Sequence, residues 1–381
     1  MKSKWEHKKL TDVCSIQYGY PFDSSNFSTD AKGMPLVRIR DVMLGVSETY
    51  YVGSYPEEYI VHKGDFLIGM DGEFNIAPWK SGDALLNQRV CRITSKGDAA
   101  IEFVYRFLLK ELKQIEDETP YVTVKHLSAK RLNQVVLPIP PLDEQQRIVA
   151  ELDLLTEVID KQKTQLKELD TLAQSIFYDM FGDPIENEKG WSVKKISDVA
   201  TVKIGPFGSL LHAKDYVKGG HPVINPIHLD SGRVVADDSF TVDETMFQQM
   251  LSYELKVNDV VFGRRGDIGR CALVEKEQIG YLCGTGSLFI RFSETIEPKF
   301  SIAALMHRSI TEYLLKKAKG ATMLNINCGI VEDIPLILPP IKLQQEFADK
   351  IQSIEKQKAA VNQSIVETQK LLDYTMDKYF G

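Results

Sequence analysis

The feature that most constrains this chain is that its sequence is written twice. Pro140-Pro141-Leu142-Asp143-Glu144-Gln145-Gln146 returns 199 residues later as Pro339-Pro340-Ile341-Lys342-Leu343-Gln344-Gln345. The match continues in order on both sides. Trp5, Asp12-Val13 and Gly19 return as Trp191, Asp198-Val199 and Gly205, and Gly64-Asp65-Phe66 with Gly69 and Gly72 returns as Asn258-Asp259-Val260 with Gly263 and Gly266. Phe181-Gly182 returns as Phe380-Gly381, and small insertions account for the drifting offset. A repeat this long predicts two similar bodies with separate cores, and 381 residues leave each copy enough chain to bury one.

Each copy closes with a segment free of Gly and Pro. From Leu142 to Phe181, the residues Ile148, Leu152, Leu155, Ile159, Gln162, Leu166, Leu169, Ala173, Ile176 and Met180 step by four and three, which is a coiled-coil heptad. The second copy repeats the phase with Phe347, Ile351, Ile354, Lys358, Val361, Ile365, Thr368, Leu372, Thr375 and Tyr379. Each seam is interrupted by a polar residue where the other is apolar: Gln162 stands at the place of Val361, and Lys358 at that of Ile159. Equal length and phase favour mutual pairing over two amphipathic helices lying on separate cores. Antiparallel pairing is the simpler arrangement. It puts the two bodies at opposite ends of a rod of roughly 57 Å, related by a pseudo-twofold axis, the symmetry that duplex DNA offers a dimeric reader. Pro-rich segments at 137–141 and 336–340 direct each body into its helix. The expected order is body one over 1–141, helix one over 142–182, a polar linker over 183–190, body two over 191–340 and helix two over 341–381.

Inside the bodies, short β-type runs at 35–39, 65–68 and 259–262 alternate with Gly, Asn and Asp turns, and helices are predicted near 103–113 and 300–317. The fold class is therefore α+β: two duplicated α/β domains separated by two long helices that pair as an antiparallel coiled coil.

A formal charge of minus 7 argues at face value against a protein that holds a polyanion. Its distribution changes the argument. Residues 142–181 carry four basic and nine acidic side chains and 341–381 carry six of each, so most of the excess sits on the helices. The bodies are near neutral, 18 basic against 18 acidic over 1–141 and 18 against 20 over 182–340. A near-neutral domain binds DNA when its cations converge on one surface. In the second copy Gly263-Arg264-Arg265-Gly266-Asp267-Ile268-Gly269-Arg270 follows a β-run and puts Arg264, Arg265 and Arg270 on a tight loop. Such guanidiniums can grip guanine O6 and N7 bidentately or clamp phosphates; a solvated hairpin is the plainer reading. The first copy keeps the glycines as Gly69-Met70-Asp71-Gly72-Glu73 and replaces arginine by acid. One turn with different side chains is what two modules reading different sequences would show, although unconstrained surface drift gives the same pattern. Further candidate donors are Tyr20, Arg38, Arg40, Asn75, Lys80, Gln88, Arg89 and Lys125 in the first copy, and Ser209, Lys214, Asn225, Lys319 and Thr322 in the second.

Catalytic constellations are missing. The sequence contains no GxxxxGK[ST], HExxH or GxSxG, and Asn225-Pro226-Ile227 lacks the aromatic of the adenine-methyltransferase Asn-Pro-Pro-Tyr or Phe motif. Glu111-Leu112-Lys113 with Asp98 has nuclease-like spacing, but it falls on an amphipathic helix where such triplets are common. Seven histidines form no spaced cluster, and five scattered cysteines predict reduced thiols instead of a disulfide framework or zinc knuckle. No apolar run reaches the roughly 18 residues of a membrane span, and Met1 to His7 is followed by no apolar core, so a cytoplasmic protein without a metal site or cofactor of its own is expected. A self-sufficient enzyme and a coiled-coil scaffold without a nucleic-acid role are the competing classes.

Taken together, the duplicated Leu-Pro-x-Pro-Pro segments, the heptad helices ending in Phe-Gly, the loops Gly19-Tyr20-Pro21-Phe22 and Gly205-Pro206-Phe207-Gly208-Ser209, and the glycine loop after a strand resemble the specificity (S) subunit of type I restriction-modification enzymes. The resemblance covers essentially the whole chain. Copy two departs at Ile341-Lys342-Leu343 and in a Gly-Pro-Phe loop shorter by one residue. The resemblance implies that each body is a target recognition domain reading half of an asymmetric, gapped DNA site, with the coil as a ruler; roughly 57 Å of rod spans about 17 base pairs. It implies two methyltransferase (M) subunits docked on the helices and restriction (R) subunits beyond them. S-adenosylmethionine, ATP and Mg then belong to the partners, and this chain has no active site. An equivalent subunit of a related system, with nuclease and methyltransferase fused in the partner, is the alternative within the class.

Overall fold

The computed structural model describes residues 5–120, 125–206, 210–266, 268–318 and 325–381. The chain divides into two compact units, and the division does not follow the sequence segments. Unit one is Met1–Lys163 with Gln363–Gly381, and unit two is Thr164–Asn362. Each unit thus takes the near part of one long helix and the far part of the other.

In unit one, the strands Cys14–Tyr18, Val90–Ser95, Phe66–Gly69 and Asn75–Pro78 form a four-stranded antiparallel sheet in that order. A second sheet of five short strands includes Met34–Val37 beside Ala84–Leu86, paired in parallel with Val37 opposite Leu86. The body is closed by a ribbon in which its first strand, Glu6–Lys9, pairs antiparallel with its last, Val136–Ile139. The helix predicted near 103–113 runs over Ile101–Glu118 and turns Phe103, Val104, Phe107, Leu108, Leu112 and Ile115 into the core, the spacing an amphipathic helix requires.

Unit two repeats the plan. Ala200–Ile204, Ser287–Phe292, Val260–Gly263 and Cys271–Leu273 lie in the same order, extended by two further strands, and the ribbon of Ser192–Lys195 with Pro335–Leu338 closes the body. The helix expected near 300–317 is two helices, Pro298–Leu305 and Arg308–Lys317. The break falls at Met306-His307, where His307 Nδ1 accepts the Ser309 N–H at the start of the second piece. A side chain that caps a helix end competes with continuing it.

The repeated Asp of the Gly-Asp-Phe and Asn-Asp-Val segments has the same task in both units. Asp65 Oδ2 accepts from Arg92 Nη1 at 2.8 Å and from the His62 N–H at 2.9 Å. Asp259 accepts from Arg291 Nε at 2.8 Å and Nη2 at 2.6 Å, and from the Lys256 N–H at 2.8 Å. Each carboxylate ties the turn before a strand to the neighbouring strand, at the end of the strand opposite the glycine loop.

The long helices are Leu142–Phe181 and Ile341–Phe380. Their pairing is antiparallel, the simpler of the two orientations that equal heptads allow. In unit one, Arg147 Nη2 donates to Tyr379 Oη at 3.0 Å and Gln162 Nε2 to Ser364 Oγ at 2.6 Å. In unit two, Phe177 and Phe181 face Phe347 with ring centroids 5.6 and 5.4 Å apart, and Lys358 Nζ pairs with Asp170 at 2.5 Å. Gln162 and Lys358 therefore find partners on the opposite helix, Gln162 in Ser364 and Lys358 in Asp170. A polar seam residue with a defined partner selects register at some cost in stability. Among the described residues no helix is long and apolar enough to cross a membrane.

Candidate nucleic-acid interface

Two backbone approaches build the same edge in each unit. Gly19 lies so near the other sheet that a Cβ there would sit 2.0 Å from the Asn87 carbonyl oxygen; at Gly205 it would sit 1.9 Å from that of Gly284. Only glycine permits this contact. In unit one the Tyr20 N–H then donates to Leu86 O at 2.9 Å and the Gln88 N–H to Tyr20 O at 3.0 Å. Since Val37 pairs with Leu86 in parallel register, Arg38 emerges beside Asn87. Tyr20, Arg38, Gln88 and Arg89 are thus gathered at one edge, all exposed, with the Tyr20 ring 5.1 Å from those of Phe22 and Tyr59.

The glycine loop is held against this edge. The Met70 N–H donates to Arg89 O at 3.0 Å and the Gly72 N–H to Lys125 O at 2.9 Å. Asp71 then lies 3.3 Å from Arg89 Nη1 and 2.5 Å from His126 Nδ1. The acid that replaces arginine in this copy therefore holds a cation of the same edge in place.

In unit two Ile224 pairs with Cys283, which places Asn225 beside Gly284, and Asn225 Oδ1 accepts the Gly286 N–H at 3.4 Å. The Arg264 N–H donates to Gly286 O at 3.1 Å, and Arg265 bridges Asn325, as Asp71 bridges His126 in unit one. Gly266 (φ 78°) and Gly72 (φ 74°) occupy the same left-handed turn position. Asn225, Arg265 and Arg270 flank one edge, with Arg265 and Arg270 exposed.

Arg264, Lys125 and Asn75 are drawn into the body, whereas Arg40, Lys80 and Lys214 are exposed. Arg264 is 9% exposed, and its Nε has no hydrogen-bond partner among the described residues. Burial, and then the neighbouring Arg265 charge, pull its guanidinium below the ordinary arginine value. The reason lies in the fold: the same position in unit one is the buried Met70, so an arginine here occupies a core slot. Lys125 is half-buried and donates to Glu116 O at 2.6 Å, while the Glu116 carboxylate accepts the Phe74 N–H, which commits both groups to the core of the body. Arg40 turns to Thr49 Oγ1 at 3.3 Å and Asp41 at 3.7 Å. Asn75 is half-buried in its strand with Oδ1 enclosed. Lys80 is exposed and lays its stem across Gly45, and Lys214 is exposed on the turn Ala213–Asp215 leading to the other sheet of unit two. Ser209, Lys319 and Thr322 lie outside the described residues.

The nuclease-like triplet does not assemble. Asp98 pairs with Lys8 at 3.3 Å, and Lys113 with Glu116 at 3.3 Å and Asp117 at 3.1 Å. Among the described residues no group of three His, Cys, Asp or Glu side chains has the geometry to hold a metal ion. The five thiols are unpaired, and burial pushes Cys14 up to about 11 and Cys91 up to about 12, so these two are inert cores of their sheets. The side chains missed from sequence are Gln145 and Gln344, both fully buried. Their signal was present, since they stand at the same place in the repeated Pro-Pro segment.

A type I restriction-modification DNA specificity domain matches this chain twice, over residues 2–171 and 188–368. The chain belongs to that family. Among its relatives, the type I restriction enzyme EcoBI specificity subunit of Escherichia coli is 28% identical over 99% of this chain and 85% of its own length. The MjaIX specificity subunit of Methanocaldococcus jannaschii is 22% identical over 84% of this chain and 77% of its own. The fold is shared with the type I restriction-modification S subunit of M. genitalium, with a TM-score of 0.55 at 12% identity over 99% of this chain and 96% of that one. A chain from a type I restriction-modification assembly reaches 0.58 at 17% identity over 100% and 98%. Membership of the specificity family makes this chain a non-catalytic DNA-recognition subunit.

Proposed function

We propose that this subunit reads an asymmetric, bipartite DNA site, one half with each body, and directs adenine methylation and restriction carried out by partner subunits. The observation that carries the reading is the duplicated edge: the same backbone approaches at Gly19 and Gly205 present Tyr20, Arg38, Gln88 and Arg89 in one unit and Asn225, Arg265 and Arg270 in the other. Equal scaffolds with unequal side chains suit two different half-sites. Guanidiniums and amides are the groups that read purine edges in the major groove, and Lys80, Lys214, Ser209, Lys319 and Thr322 serve as phosphate contacts that position the duplex. Two methyltransferase subunits dock on the paired helices and bring S-adenosylmethionine; restriction subunits bring ATP and Mg, and the assembly works in the cytoplasm. Methylation of a paired adenine requires its extrusion from the stack, so the recognition subunit supplies sequence choice and the partner supplies the chemistry.

The test is a genome-wide map of N6-methyladenine with and without this gene beside its methyltransferase. A gapped, asymmetric motif that vanishes on deletion is the expected result; its absence overturns the reading. On a duplex carrying that motif, R265A is expected to cost about 1–3 kcal/mol of binding and to relax one half-site only. Unchanged affinity and unchanged sequence preference would remove Arg265 from the interface.

A further inference from the structure

A duplicated polar constellation lies away from the reading edge, where each body meets its long helix. Gln145 is 0% exposed. Its Nε2 donates to Pro140 O at 2.8 Å and approaches Asp98 O at 3.4 Å, and its Oε1 accepts the Ala100 N–H at 2.8 Å. Ala100 is the residue that opens the helix Ile101–Glu118 of the body. Gln344, 1% exposed, repeats the arrangement. Its Nε2 donates to Pro339 O at 2.9 Å and its Oε1 accepts the N–H of Glu297, which opens the helix Pro298–Leu305, at 2.9 Å.

One carboxamide therefore joins three pieces in each unit: the end of the closing ribbon, the start of the body's own helix and the first turn of the long helix. The side chain must both donate and accept, which a carboxamide does and a carboxylate or thioether does not. The Pro140 and Pro339 carbonyls are enclosed at the joint, Ala100 and Glu297 are half-buried, and an enclosed group left unbonded costs more than the bond itself contributes. Relief comes from tilting the body away from the helix until water enters. The carboxamide thus adds directional bonds to a joint that Phe103 with Ile148 and Leu152 also packs in unit one.

We propose that Gln145 and Gln344 are positioning residues that lock the angle of each recognition body on its helix and thereby fix the number of unread base pairs between the half-sites. The proposal rests on the bipartite reading and adds to it the joint as a second determinant of the gap, beside the length of the coil. Neither residue touches DNA, so their substitution leaves each half-site sequence as it was.

The experiment maps N6-methyladenine in cells expressing the methyltransferase with wild-type chain, Q145M, Q344M or Q145E. Wild type is expected to methylate one gap length. Each variant is expected to keep both half-site sequences while methylation at gaps one base pair longer or shorter rises at least tenfold over wild type. A uniform loss of methylation with the gap unchanged shows that the carboxamide stabilises the fold without setting the gap, and overturns the proposal. Complete loss of methylation in all three variants identifies a folding determinant and overturns it as well. A wild-type map without any gapped motif sinks the bipartite reading itself, an outcome separate from failure of the joint.

Discussion

Removing the Asp259 carboxylate should loosen the strand that leads into the arginine loop of unit two, and the structure sets the size of the effect. D259A removes two charge-assisted bonds from Arg291, at 2.8 and 2.6 Å, and one from the Lys256 N–H. Breaking one partner out of a buried pair costs about 3–5 kcal/mol. Asp259 is 1% exposed but Arg291 is 37% exposed and can be rehydrated, so screening lowers the expectation to about 2–4 kcal/mol. D259N keeps one oxygen acceptor but turns an NH2 donor toward Arg291 or the Lys256 N–H, so at least one bond is lost with the charge and about 2–3 kcal/mol is expected. The twin D65A removes one contact from Arg92 and one from His62, and Asp65 is already 21% exposed, so about 1–2 kcal/mol is expected there. Hydrogen exchange of the strands Val260–Gly263 and Ser287–Phe292 reads the opening free energy of unit two, and Phe66–Gly69 with Val90–Ser95 that of unit one. A loss below 1 kcal/mol in D259A, or a D65A effect as large as that of D259A, would refute the account of the carboxylate as a burial-dependent anchor.

Helix pairing and acidity offer two further tests. F347A removes a ring packed against Phe177 and Phe181 at 0% exposure and should cost about 3–5 kcal/mol in unit two, with F347L costing clearly less, as read by exchange over 341–362. His228 is held neutral by burial, its pKa lowered from 6.5, while the Asn225 N–H donates to its Nδ1 at 3.0 Å. Below pH 6.5 the unfolded chain binds a proton that the folded state refuses, so unit two should lose stability as pH falls through that range, and its stability should be full above it. H228N keeps an acceptor for the Asn225 N–H and should flatten this dependence in denaturation curves taken between about pH 5 and 7; an unchanged slope would assign it to other groups.

Much of the architecture was legible because it rests on local, repeated patterns. Heptad spacing alone announced two helices of equal length and phase, and the structure shows them antiparallel, with Gln162 and Lys358, polar breaks in the seam, bonded across it to Ser364 and Asp170. The Gly19 and Gly205 loops and the two glycine turns were visible as spaced glycines, since a close approach or a left-handed φ leaves few other choices. The helix expected near 300–317 divides at Met306-His307, and the cap at His307 that divides it is a matter of side-chain geometry.

The interface was legible only in part. Three arginines in one loop read alike in sequence, yet Arg265 and Arg270 are exposed whereas Arg264 is buried, because position 264 fills the slot that Met70 fills in unit one. Lys125 read as a free cation and is committed to the Glu116 carbonyl. Sequence by itself determined the duplication, the helices and their polar breaks, since these follow from spacing along the chain. Only the tertiary structure decided which cations face outward, that Asp71 restrains Arg89, and that Gln145 and Gln344 bind each body to its helix. Those outcomes depend on groups brought together from distant segments, and the sign of a charged side chain's contribution is set by the solvent and partners it meets there.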